Sequence, residues 1–175
     1  MSEEIYDKIN SDADPFKKIL KKVPGFKGYI ERQNRRDSDK MLRDITAVRI
    51  EEQWQRVSAL ERDFISQGEI MYVDDLEAAA IKMRTLADRI RRAPRGYAGI
   101  FDAVKINEEE LGRLYVYDAS LLDSVDEIGR GIDNVEMSAG TDGLPASIRH
   151  LTSVTQEAIE TYNRREEAVI GNVQL

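Results

Sequence analysis

The sequence predicts an all-α protein, an antiparallel up-down-up-down four-helix bundle with a short N-terminal amphipathic helix. Three observations carry the prediction. Apolar residues return every three or four positions over four long segments, as they do on one face of a helix. Glycine and proline punctuate the segments where helices stop. Most of the intervening connections are short, which places successive helices antiparallel.

The chain divides by charge. Residues 1–14 sum to -4, residues 15–36 to +7 and residues 37–175 to -10, within a formal net charge of -7. Residues 1–14 are acidic and poor in apolar side chains, so they read as a disordered leader that buries too little to offset its ordering entropy. Residues 15–36 form a basic amphipathic helix and turn. Asp14 and Pro15 suit a helix start, and Pro24 with Gly25 suits its stop. Between them Phe16, Ile19, Leu20 and Val23 sit at i, i+3, i+4 and i+7 and make one apolar face, while Lys17, Lys18, Lys21 and Lys22 take the other. Phe26, Lys27 and Tyr29 follow in a glycine-flanked turn.

The bundle is expected over residues 37–171, with a tail at 172–175. Its first helix starts near Asp37, carries Met41, Leu42, Ile45, Val48, Trp54, Val57, Leu60 and Phe64, and ends near Gly68. The second starts near Asp74, where Asp74 and Asp75 complement the helix dipole, and ends in "RIRRAP" before Pro94. Its stripe is Leu76, Ala79, Ala80, Met83, Leu86, Ala87 and Ile90. The connector "PRGYAGIFDAVKI" is apolar enough to fold across one end of the bundle. Asn107 is an N-cap candidate for the third helix, with Leu111, Leu114, Leu121, Val125, Ile128, Ile132 and Val135 inward. After "AGTDGLP" the fourth helix carries Ile148, Leu151, Thr155, Ala158, Ile159, Tyr162 and Val169 and runs to about Gly171.

Composition excludes several chemistries. The chain has no cysteine, which removes disulfides, thiolate metal ligands and cysteine nucleophiles and fits a reducing, cytoplasmic setting. The leader lacks the apolar core of a signal peptide, and no apolar run approaches the length of a membrane span. The single histidine, His150, has Ser147 and Ser153 three residues away, so no Glu-x-x-His pair of a carboxylate-bridged metal centre exists. His150 reads as an exposed helix residue. Ser120, Ser124 and Ser153 lack a base constellation for a nucleophilic triad. Gly129 and Gly131 in "EIGRGIDN" match no phosphate-binding motif and read as a weak or closely packed point of a helix. Neither metal nor cofactor is expected.

Two features invite function. The spacing 111, 114, 118, 121, 125 turns Asp118 toward the core, where a carboxylate must be paired, hydrogen-bonded or protonated. It is either a ligand or proton-transfer site or a structural bond to a tyrosine, serine or arginine of a facing helix. Tyr115 and Tyr117 flank it but point elsewhere on the wheel.

The second feature is the basic helix. Alone in water so short a helix is marginal, so its apolar face must dock. Full burial of its four apolar side chains contributes at most about 6 to 12 kcal/mol before ordering costs. Three acceptors compete: an apolar groove with an acidic rim on a partner protein, an anionic membrane surface, and the chain's own acidic bundle. Nucleic acid is disfavoured by the acidic remainder. The long helices also permit a homo-oligomer.

The expectation is a non-enzymatic, cytoplasmic helical adaptor or scaffold, peripheral to the membrane if the acceptor is lipid. Phe16, Lys17, Lys18, Ile19, Leu20, Lys21, Lys22, Phe26 and Lys27 form its binding element. The alternative is a small-ligand-binding or catalytic bundle centred on Asp118.

Overall fold

The computed structural model describes residues 14–27, 35–93 and 108–171, with side chains for 14–27, 38–93 and 112–168. The leader, the connector after Ala93, the Asn107 cap and the C-terminal tail lie outside the described residues. The regular structure of the described residues is helical throughout: α1 (Pro15–Lys22), α2 (Arg35–Gln67), a single 3-10 turn (Ile70–Tyr72), α3 (Val73–Arg92), α4 (Glu108–Ser138) and α5 (Leu144–Gly171).

Local chemistry sets these limits. Asp14 is extended, and its Oδ1 accepts the Phe16 amide at 2.9 Å, with Pro15 in the first turn. At the end of α2, Gly68 takes φ +82°, where any Cβ would be strained. This lets the Gly68 amide reach the Ile65 carbonyl at 3.2 Å and the Glu69 amide reach Phe64 at 2.9 Å, the paired bonds of a Schellman stop. Asp74 and Asp75 lie in the first turn of α3 and Arg89, Arg91 and Arg92 in its last, each sign opposite the dipole it faces.

The helices pack as a bundle whose two most extensive pairings are α2 with α3 and α4 with α5. In the first, Arg91 near the end of α3 reaches back to Glu51 of α2 at 2.8 Å. In the second, Ser138 at the end of α4 bonds Ser147 at the start of α5 at 2.8 Å. Between these pairs, α2 meets α4 and α3 meets α5. Arg56 of α2 reaches Asp133 of α4 at 2.6 Å, while Gln53, one turn earlier, lies against Gly129. Lys82 and Arg89 of α3 reach Gln156 and Asn163 of α5 at 3.1 and 2.8 Å. The order around the bundle is therefore α2, α3, α5, α4.

All seven residues of the α3 stripe are buried, together with Leu114, Leu121, Val125, Ile128, Ile132 and Val135 of α4 and Ile148, Leu151, Thr155, Ala158 and Tyr162 of α5. Gly131 lets α5 come close: a Cβ there would stand 3.2 Å from Leu151 Cδ1 and 3.5 Å from its Cα. α2 departs from the expected stripe. Val48 is 46% exposed, and Ala47 and Ile50 are buried in its place. The apolar face of α2 serves different neighbours along its length, so one regular stripe does not describe it.

Candidate functional site

The basic helix lies on the bundle. Ile19, Val23 and Phe26 are fully or almost fully buried against Leu42 of α2 and Ala119 and Leu122 of α4, with Phe16, Leu20, Met41, Ile45 and Tyr115 partly buried around them. Phe16 tilts against Phe26 and Tyr115, with ring centroids 6.2 and 5.4 Å away. None of these side chains belongs to the main core cluster, which joins α2, α3, α4 and α5. The expected face, i, i+3, i+4, i+7, is the face that docks, and Phe26 extends it past the Gly25 turn.

Charge then fixes the seat. Lys22 Nζ stands 2.7 Å from Asp123 and 2.5 Å from Asp126 on α4, and Lys18 stands 3.3 Å from Asp123. Burial alone would lower the Lys22 pKa, but the two carboxylates outweigh it and raise the value. Burial likewise works against the Asp123 charge, and the lysines overcome it, so its pKa falls. Arg49 of α2 donates from Nη2 to the Lys22 carbonyl, a cation at the negative end of the α1 dipole. Lys21 and Lys27 face solvent and Lys17 is half-buried. Among the described residues no carboxylate forms an ion pair with these three.

Asp118 is buried, as its spacing predicts, and its partner comes from α5. Arg165 is 1% exposed; its Nε donates to Asp118 Oδ1 at 2.6 Å and its Nη2 to Asp39 Oδ1 of α2 at 2.5 Å. Asp39 Oδ2 accepts from Arg43 Nε at 2.9 Å, and Arg43 reaches the Ala93 carbonyl at the end of α3 at 3.5 Å. Two acids and two bases thus join one end of all four long helices. Burial pushes the Asp118 carboxyl above its usual range, against the pull of Arg165. The arrangement holds helices in register by charge-assisted bonds, and its carboxylate is already engaged by a cation. Tyr115, as the helical wheel requires, serves α1 instead.

Asp39, Arg43 and Arg165 were not legible as site residues from a stripe of apolar positions alone. The α5 spacing 155, 158, 162, 165 contained the signal for Arg165, since it puts an arginine where an apolar residue belongs. His150 is exposed, and Gly129 stands beside Gln53 Oε1, 3.4 Å from where its Cβ would be. Among the described residues no group of three or more His, Cys, Asp or Glu is placed to hold a metal ion. No described helix is long and apolar enough to cross a membrane. No family model, curated protein or solved structure matches the chain.

Proposed function

We propose that this chain is a non-enzymatic helical adaptor or scaffold that binds a partner protein through α1. The observation that supports the reading is the separateness of the α1 seat. An eight-residue helix rests on an apolar cluster that shares no side chain with the main core, so α1 can leave while the four-helix core stays closed. Its hold includes ion pairs to Asp123 and Asp126, both more than 40% exposed, which salt and competing charges weaken. Once released, α1 presents Phe16, Ile19, Leu20, Val23 and Phe26 beside five lysines, the pattern of a helix that lies in an apolar groove with an acidic rim. In this reading the four long helices run up-down-up-down as a rigid spacer, and an anionic membrane surface is the competing acceptor.

The test compares the wild-type chain with Asp123→Lys/Asp126→Lys, which loosens the seat without touching α1, and with Phe16→Asp/Leu20→Asp. Protein capture from a cell extract should rise in the first variant and vanish in the second. Capture that is indifferent to both variants overturns the reading. Flotation with anionic but not neutral vesicles, lost in Phe16→Asp/Leu20→Asp, transfers α1 to lipid.

A further inference from the structure

The opposite end of the bundle carries a second surface, away from the α1 seat, where the core opens to solvent beside Tyr72 and Leu144. There the α2–α3 connection and the α4–α5 connection lie side by side, and Gly68, Glu69, Ile70, Met71, Tyr72, Gly140, Thr141, Asp142 and Leu144 line an open groove of about 420 Å³. The 3-10 turn puts two large apolar side chains outward at its edge: Ile70 is 66% exposed and Met71 77%. Met137, in the last turn of α4 at the same end, is 73% exposed. Ordinary packing does not account for them. The Schellman bonds at Gly68 bring the chain into the turn, and the turn holds Ile70 and Met71 in water.

The charged residues that line the groove, Glu69 and Asp142, are both acidic. Residues 68–77 contain Glu69, Asp74, Asp75 and Glu77, residues 133–144 contain Asp133, Glu136 and Asp142, and neither stretch contains a lysine or arginine. Arg56 reaches in to pair with Asp133 and Glu136. Among the described residues no cation forms an ion pair with Glu69, Asp74, Asp75 or Asp142. Glu69 Oε2 is out of water and bonded to no described group. An apolar patch rimmed by carboxylates repels nucleic-acid phosphates and anionic lipid headgroups. It complements an apolar segment flanked by lysine or arginine, and exposed methionines adapt their shape to such a segment.

We propose that this groove is a docking site for a basic amphipathic helix of a partner protein, with Ile70 and Met71 entering its apolar face and Glu69 and Asp142 meeting its cations. This gives the bundle two separate surfaces: α1 lies along its side, reaching Arg49 of α2 and Asp126 of α4, and the acidic, methionine-bearing groove lies at the far end. A helix of 33 residues such as α2 sets the ends roughly 50 Å apart at about 1.5 Å per residue. The molecule supplies a probe of the required chemistry, since residues 14–27 of its own sequence are basic and amphipathic.

The experiment titrates a fluorescein-labelled peptide of residues 14–27 with the full chain and reads fluorescence anisotropy. Three variants are compared: Ile70→Glu/Met71→Glu, Glu69→Lys/Asp142→Lys and, in the α1 seat, Leu122→Asp. The groove site predicts saturable binding that weakens about tenfold or more in the first variant, as loss of apolar anchors does at interfaces. It also predicts clear weakening in the second variant and no change in the third. A peptide with its five lysines replaced by glutamate should fail to bind. The proposal is overturned by absent binding, by binding lost only in Leu122→Asp, or by equal binding of the glutamate peptide. Sedimentation of the chain alone closes the remaining route: a wild-type dimer that Ile70→Glu/Met71→Glu dissociates assigns the surface to a second copy and overturns the partner assignment. Since Ile70 and Met71 are solvent-exposed, their replacement leaves the core intact, and circular dichroism of the variants checks this. The α1 reading survives any of these results, because its own test leaves the groove unchanged.

Discussion

Through the main core, Leu76, Met83, Leu86, Ile128, Ile132 and Leu151 belong to one cluster of buried apolar side chains; toward the α1 end, Asp39, Arg43, Asp118 and Arg165 occupy the interior instead. Both regions exclude water. They differ in how interchangeable their parts are. In the apolar region any side chain of similar volume restores most of the packing, and a lost methyl group costs in proportion to the space left behind. In the charged region each group is tolerable only because its partner is present, so removing one member strands another charge in low dielectric. The first region supplies adhesion, while the second supplies register, because Arg165 bonds two helices at once and does so in a fixed fork geometry.

The sharpest way to break that contrast is Arg165→Ala. It leaves Asp118 and Asp39 buried without the guanidinium they share, and the expected loss is about 4 kcal/mol, toward the middle of the range for breaking buried pairs. Urea denaturation measures it as a lower midpoint at unchanged slope. The double replacement Asp118→Leu/Arg165→Leu should recover most of that loss, because no unpaired charge remains at the Asp118 position. A double variant no more stable than Arg165→Ala would mean that shape, and not charge compensation, dominates this end. In the apolar region Leu86→Ala should cost about 3 kcal/mol, and here a second apolar substitution cannot rescue the first by removing a partner. Equal rescue behaviour in the two regions would erase the distinction.

The α1 seat is a third case and shows a ceiling. Ile19 is as completely buried as Leu86, yet Ile19→Ala cannot destabilise the core by more than the free energy with which α1 docks, since beyond that point α1 simply leaves. The expected result is a small global change, about 1 kcal/mol or less, alongside fast hydrogen exchange in α1 and retained protection in α3 and α5. Loss of protection throughout the bundle after Ile19→Ala would show α1 to be part of one cooperative unit and would undercut the proposal that it detaches.

The same contrast explains what could be read in advance. The α3 stripe was fully legible because α3 meets its neighbours along one unbroken face, and small residues at Ala79, Ala80 and Ala87 mark where they come close. The α1 face was legible for the same reason. Asp118 announced itself as a polar interruption of a regular stripe, but its partners did not, because a period of apolar residues discounts every charged position, and Arg165 and Asp39 fall in just such positions on α5 and α2. One buried carboxylate on one helix is nevertheless a reason to search the other stripes for a cation at a core position. Val48 was misplaced because α2 buries Leu42 against α1 while Ala47 and Ile50 face the main core, so a single regular stripe does not describe it. The groove at Ile70 and Met71 depends on two connections being brought together, a relation that neither connection states alone.

The smallest effects come from acid and base, where Asp118 and Asp123 should act in opposite directions. Burial raises the folded pKa of Asp118, so as pH falls the native state takes up this proton before the unfolded chain does. The stability from this group is complete below the ordinary aspartate value of about 3.9 and is lost as pH rises through the raised value. Asp123 is lowered, with its lysine partners overcoming a burial term of the other sign. Its contribution is present above the ordinary value and is lost as pH falls through the lowered one. Because Asp123 is 43% exposed, its pairs are screened and each is worth about 0.5 kcal/mol, typical of surface ion pairs. Asp118→Asn should therefore flatten the decline in global stability as pH climbs above 4, read by urea denaturation across a pH series. Asp123→Asn should leave that limb unchanged and instead remove the acid-side loosening of α1, read by hydrogen exchange of the α1 amides. If Asp123→Asn altered global stability on the alkaline side, the two regions would share one titration, and α1 would be coupled through α4 to the charged end of the bundle.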